Sequence, residues 1–231
     1  MDFKNIFTYT KALSENNTRP WFHENHSRYE KAREDFIQIL EAMRFVIMES
    51  SPLLGDEIML TPAKSFMYRI PRDMRYSKGK PPYNPAFRAY FSPNKKEFLP
   101  FGYFFYASFE RVSIGTGFWP WESEQIRKFR EYVLETWNKL TEIVVSCGLE
   151  VTGDRLKGMP RGYPDDHPSA DWLKYKSMFV NYSFSEDETA DPDLFLNSLG
   201  REIRRQEPLR QYLSAPFAAK QTGIRDFYDI Y

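Results

Sequence analysis

Between Lys64 and Tyr83 the chain reads KSFMYRIPRDMRYSKGKPPY, which gathers Arg69, Arg72, Arg75, Lys78 and Lys80 into one short stretch with Asp73 as its only acid. Repelling cations on a segment broken by Pro71 and by Pro81-Pro82 are costly unless an anion sits among them. Guanidinium groups offer planar, bidentate donors to a phosphate or carboxylate. Arginines spaced by three, on a strand running into a turn, can converge on one such group. Lys78-Gly79-Lys80-Pro81-Pro82 is expected to form an exposed, stiff loop. The alternative is structural: the arginines bridge carboxylates of neighbouring elements, with Asp73 a member of the network.

A second cluster lies in LKGMPRGYPDDHP, where Lys157, Arg161, Asp165, Asp166 and His167 fall close together. A histidine beside two acids can exchange a proton near neutral pH. Against this stands a local role, in which Asp165 or Asp166 caps the following helix and His167 orients the loop before Pro168. The expected site combines both clusters in one cleft. Arg69, Arg72, Arg75, Lys80 and Tyr83, with Lys157 and Arg161, bind a small phosphate- or carboxylate-bearing ligand. If the protein is an enzyme, His167 moves the proton, tuned by Asp166 or its neighbour Asp165, and the reaction class is open.

Other chemistry has less support. His23 and His26, three apart in WFHENHSRY, share a helix face, but no third metal ligand is near in sequence and no metal is assigned. Gly115-Thr116-Gly117 lacks the third glycine of a phosphate-cradling loop and precedes the acids Glu122 and Glu124, so a tight turn is expected there. There is no Walker A motif, nucleophile elbow, CxxC pair or HExxH, and no cofactor is indicated.

These residues need elements to hold them. Phe3 to Leu13 reads as a short helix, and Thr18 caps a longer one, with Pro20 in its first turn, running to about Ser50; Tyr29, Phe36, Leu40, Met43 and Ile47 form its core face. SFMYRI, AFRAYF, GYFFYASFE and VSIGTGFW read as strands whose short connections favour antiparallel pairing. A helix follows from Trp121 to Ser146, with Gly148 past its end and Cys147 packing as a small apolar residue. After the loop of the second cluster come a helix around Ser169 to Met178, a strand at FVNYSFS and a helix capped by Asp191 that Pro208 should break. Helices outside and aromatic strands between them give an α+β fold, one domain with a mainly antiparallel central sheet; a βαβ parallel sheet is the alternative.

Lys+Arg and Asp+Glu balance at 32 each, so the basic stretch is a local feature on a neutral background. That argues against general nucleic-acid or membrane binding. Apolar runs such as FVIM are too short to span a bilayer. One cysteine permits no internal disulfide, and a soluble cytoplasmic protein is expected.

NNTRPWFHENHSRYE, RIPRDMRYSKGKPPY, GTGFWP and LKGMPRGYPDDHP, in that order, resemble the motifs of a widespread family of uncharacterised bacterial and fungal proteins, domain of unknown function 2461. The resemblance runs from about Phe3 to Phe217 and implies a single domain over 1–217 with residues 218–231 as a C-terminal extension. Arg69, Arg72, Asp73, Arg75, Ser77, Lys80, Pro82 and Tyr83 match the family's basic motif, whereas Gly79 and Asn84 stand where it usually has an acid and a lysine. The resemblance brings no activity. Two further classes therefore stand beside the small-anion reading. In a nucleic-acid binder, Tyr68, Tyr76 and Tyr83 interleave base stacking with phosphate contacts; in a noncatalytic interaction module, Trp119 and Trp121 form a protein-binding patch.

Overall fold

The computed structural model describes residues 2–75, 79–92, 102–119 and 122–217. The N-terminal third is helical: α1 (Lys4–Glu15), α2 (Arg19–Glu24), α3 (His26–Ser50) and α4 (Pro52–Leu60), then a 3₁₀ turn at Ala63–Ser65. In α1 the three-to-four spacing of Ile6, Tyr9 and Leu13 buries one face. The Thr18 hydroxyl accepts from the Trp21 backbone N–H at 3.4 Å, as its position before Pro20 predicts. The single long helix expected beyond it is instead two. Asn25 ends α2 and starts α3, and its side-chain amide donates to the Trp21 carbonyl at 3.0 Å, competing with the helical ladder. Phe36, Leu40, Met43 and Ile47 are buried as their spacing requires.

Four strands follow: β1 (Phe87–Phe91), β2 (Tyr103–Ala107), β3 (Val112–Phe118) and β4 (Met178–Phe184). They pair antiparallel in the order β1-β2-β3-β4. Helices α5 (Ser123–Ser146) and α6 (Ala170–Leu173) lie between β3 and β4 in the chain, and α7 (Glu186–Ala190) and α8 (Pro192–Ser214) follow. This is the α+β class, with an antiparallel sheet and helices around it.

Strand alternation puts Phe87, Ala89, Phe105, Ile114 and Phe184 on one face, in a core shared with α1, α3 and the first half of α8. Phe118, Met178 and Val180 belong to a second core with α5, α6 and the last turns of α8. Arg88, Tyr90, Phe104, Tyr106, Phe179 and Asn181 alternate with these residues and so occupy the opposite face.

Other expectations also need correction. Gly115-Thr116-Gly117 is no turn but the middle of β3. Gly117 has φ +145°, and a Cβ there would collide with the Met178 carbonyl, so glycine lets β4 approach. The helix expected to reach Met178 stops at Leu173, because Leu156 N–H donates to Lys174 O and Lys176 N–H to Asp154 O, both at 2.8 Å, pulling this stretch into strand-like pairing. Pro208 does not break α8, which runs through it to Ser214. A proline inside a helix, through its missing N–H and its ring clash together, costs about 3 kcal/mol, offset where Leu209, Tyr212 and Leu213 bury their side chains in the second core.

Both outer strands are covered. Along β1, Tyr68 N–H donates to Arg88 O at 2.8 Å and Tyr90 N–H to Phe66 O at 3.0 Å, so the expected SFMYRI strand is a short edge contact around Met67. Along β4, Thr152 and Phe179 exchange two hydrogen bonds of 2.8 Å. Among the described residues no helix is long and apolar enough to cross a membrane.

Candidate functional site

The described parts of the basic stretch, residues 70–72 and 82–84, pair as the base of a hairpin beside the β1 edge. Pro71 bridges Tyr83, Arg72 N–H donates to Pro82 O at 2.8 Å and Asn84 N–H to Ile70 O at 2.9 Å, and buried Ile70 anchors the base. Asn17 fixes the far side, accepting from Tyr83 N–H and donating to Tyr83 O, both at 3.0 Å. The Tyr83 ring stacks on Phe22 at 4.2 Å and is buried in the core, so this residue holds the hairpin and presents no ring to a ligand. Lys78 and Tyr76 lie outside the described residues.

The cations of this hairpin divide into two kinds. Arg75 is exposed and pairs with Asp73 at 2.6 Å, an interaction that holds the Asp73 carboxyl below its ordinary pKa. This part matches the structural alternative. Arg69 and Lys80 are exposed, and Arg72 is half-buried with its Nε donating to Tyr83 O at 3.2 Å. None of these three has a carboxylate within 4 Å among the described residues.

Arg88 completes the cluster and was invisible to motif reasoning, because it stands alone in the strand AFRAYF. Its side chain occupies the sheet face opposite the first core. The guanidinium lies 5.5 Å from the Tyr68 ring centre and donates from Nη2 to Arg69 O at a long 3.4 Å, while its Nε is buried with no hydrogen-bond acceptor. Burial first, and the neighbouring charge of Arg72 second, push its pKa below the ordinary arginine value. Arg88 faces Tyr106 across the β1–β2 pair, and Arg111 lies over the Tyr106 ring at 4.6 Å. Arginine and tyrosine thus alternate across this end of the sheet. The only signal in the sequence was strand alternation, which turns Arg88 away from Phe87 and Ala89.

The second cluster lies elsewhere. The stretch 152–156 that leads into it runs along the outer edge of β4, whereas the basic hairpin leaves the outer edge of β1. With the sheet order β1-β2-β3-β4 and one flanking segment on each outer strand, five inter-strand spacings lie between Met67 and Thr152, on the order of 24 Å. The structure does not bring them into one cleft. Lys157, Asp165 and Asp166 are exposed. Among the described residues no carboxylate lies within 4 Å of His167; its Nδ1 meets the Ser169 hydroxyl at 2.7 Å and accepts from the Ser169 backbone N–H at 3.2 Å, orienting the entry to α6. Arg161 does line a groove, together with residues of α5.

Exposed His26 sits 3.8 Å from half-buried Glu30, and among the described residues no group of three side chains is placed to hold a metal. Trp119 is 47% exposed and rests on Phe104 and Phe179; Trp121 and the C-terminal extension, residues 218–231, lie outside the described residues.

No curated protein and no solved structure matches this chain. The family model described as conserved hypothetical protein (DUF2461) matches residues 5–212. That span includes the hairpin, all four strands and nearly all of α8, and the chain belongs to this family.

Proposed function

We propose that the protein binds a small phosphate- or carboxylate-bearing ligand at the sheet end formed by Arg72 and Arg88, with Arg69 and Lys80 at its rim. The observation that carries this reading is Arg88, a half-buried guanidinium with an unsatisfied Nε, beside a second arginine and, among the described residues, without a carboxylate. Leaving a buried charged donor unmade is costly, and an anion would satisfy it while relieving the repulsion between the two cations. Tyr68 and Tyr106 supply apolar walls that strengthen the interaction by excluding water. In an enzyme of this kind the arginines hold the anion, and the proton donor is sought among groups near Arg88 rather than at His167, which sits by the other sheet edge.

Titration of sulfate into ¹⁵N-labelled protein, against chloride at matched ionic strength, tests the reading. Saturable shifts at the amides of Tyr68, Arg72, Arg88 and Tyr106, erased in Arg88→Met and kept in Arg161→Ala, are expected. Shifts that grow equally with chloride, or that survive Arg88→Met, would sink it.

The alternation of Tyr68, Arg88, Tyr106 and Arg111 favours one second reading, single-stranded nucleic acid stacked on the tyrosines. The neutral overall charge weighs against it. Submicromolar binding of a single-stranded oligonucleotide at physiological salt, lost in Arg72→Ala, would reverse the order of the two.

A further inference from the structure

Away from the basic hairpin, α5 and residues 161–163 line a groove of about 560 Å³. Tyr163 N–H donates to Pro160 O at 3.3 Å, and Gly162 has φ +89°, the geometry of a turn that needs glycine at its third position. The turn sets Arg161 on the groove opposite Arg127 and Arg130, which are three apart and share a face of α5. Among the described residues Glu131 is the sole acid lining it, and its carboxylate is occupied by Arg127 at 2.7 Å.

The other two guanidinium groups are differently placed. Arg130 is half-buried, donates from Nε to Leu173 O at 2.9 Å and lies 5.9 Å from the Tyr163 ring centre, with no carboxylate of a described residue within 4 Å. Burial lowers its pKa, which marks a charge partly stripped of water. Arg161 is exposed and forms no hydrogen bond or ion pair with any described residue. Ile126, Leu134 and the Tyr163 ring make the remaining wall apolar.

We infer that this groove is a binding site for a small phosphate monoester with an aromatic or apolar alcohol part, its phosphate between Arg130 and Arg161 and its apolar part against Ile126, Leu134 and Tyr163. Three guanidinium groups against one carboxylate select a dianion, and paired arginines grip tetrahedral oxyanions through several donors at once. The apolar wall separates this ligand class from inorganic phosphate. The site shares no residue with the one formed by Arg72 and Arg88.

Phenyl phosphate, inorganic phosphate and phenol are the probes, each titrated into the ¹⁵N-labelled chain. Phenyl phosphate is expected to shift the amides of Arg127, Arg130, Arg161 and Tyr163 saturably, to bind at least tenfold more tightly than inorganic phosphate, and to be weakened at least tenfold in Arg161→Ala. Because Arg161 is exposed on a turn, that variant folds even where Arg130→Met does not. Arg88→Met is expected to leave these shifts intact, which separates this site from the proposed function. Equal affinity for phenol, an unchanged affinity in Arg161→Ala, or shifts confined to the β1 edge would overturn the inference.

Discussion

At the scale of single residues, the decisive contrast is between Arg75 and Arg88. Arg75 is 80% exposed and already has Asp73, so solvent screens the pair and its removal changes little. Arg88 is half-buried without an acid, and Arg72 stands beside it. Replacing either Arg72 with alanine or Arg88 with methionine therefore relieves repulsion, and denaturant melts of Arg72→Ala and Arg88→Met are expected to show stability within about 1 kcal/mol of the parent or above it. A structural salt-bridge network predicts the opposite sign, a loss of about 3–5 kcal/mol as a buried acid is left unpaired. Arg72 was legible in the sequence because its motif crowds cations. Arg88 was not, since its importance comes from cross-strand neighbours and from the β1 edge that carries Arg69. Tyr83 shows the converse: a motif tyrosine reads as a ligand contact until the Phe22 ring is found stacked on it.

At the scale of elements, capping residues mark the helix starts at Thr18 and Asp191, whereas α6 follows Ser169 with no side-chain cap from Asp165 or Asp166. Asp191 caps α8 as expected, accepting from Asp193 and Leu194 N–H at 2.8 and 3.2 Å. The α7 turn adds a capping box: Ser185 Oγ accepts from Glu188 N–H at 3.2 Å, and the Glu188 carboxylate accepts from Ser185 N–H at 2.8 Å and from the Tyr182 hydroxyl. Burial would raise the Glu188 pKa, but hydrogen bonds from Ser198, Ser185 and Tyr182 outweigh it and hold the value down to about 2, against an ordinary 4.5. A depressed folded pKa means that the stabilisation is present above about 4.5 and drains away as pH falls toward 2. Thermal melts across that window are expected to show a smaller acid-induced loss in Glu188→Gln than in the parent. Where elements were misread, tertiary contacts overruled local preference. Gly117→Ala, at φ +145° and against the β4 backbone, is expected to cost more than about 1 kcal/mol in denaturant melts, which a surface turn glycine would not.

At the scale of the molecule, α8 ties two cores into one body. Phe195, Leu199 and Ile203 enter the first core and Leu209, Tyr212 and Leu213 the second. Between them the buried Glu207 carboxylate takes the Tyr103 hydroxyl at 2.6 Å and two bonds from Arg210 at 2.6 and 2.7 Å. Phe195→Ala and Leu213→Ala are each expected to lose about 2–5 kcal/mol, and hydrogen exchange in α3 and α5 is expected to accelerate together in both variants. Exchange that speeds up in only one helix per variant would show two independently unfolding halves. The α+β class and the antiparallel pairing were legible because aromatic alternation and short connections depend on sequence alone. The separation of the two basic clusters was not, since only the strand order places them on opposite edges.

That strand order also has a consequence in time. The chain must travel from Phe118 to Met178, about 60 residues, before β3 meets its last partner, and α8 comes later still. At ribosomal speeds of roughly 5–20 residues per second, the β3 edge waits about 3–12 s for β4. During that interval a strand containing Gly115 and Gly117 offers unpaired backbone groups to any neighbouring nascent chain. Glycine weakens a strand that has nothing to pair with, so the residues that let β4 dock closely also keep β3 a poor template until β4 arrives.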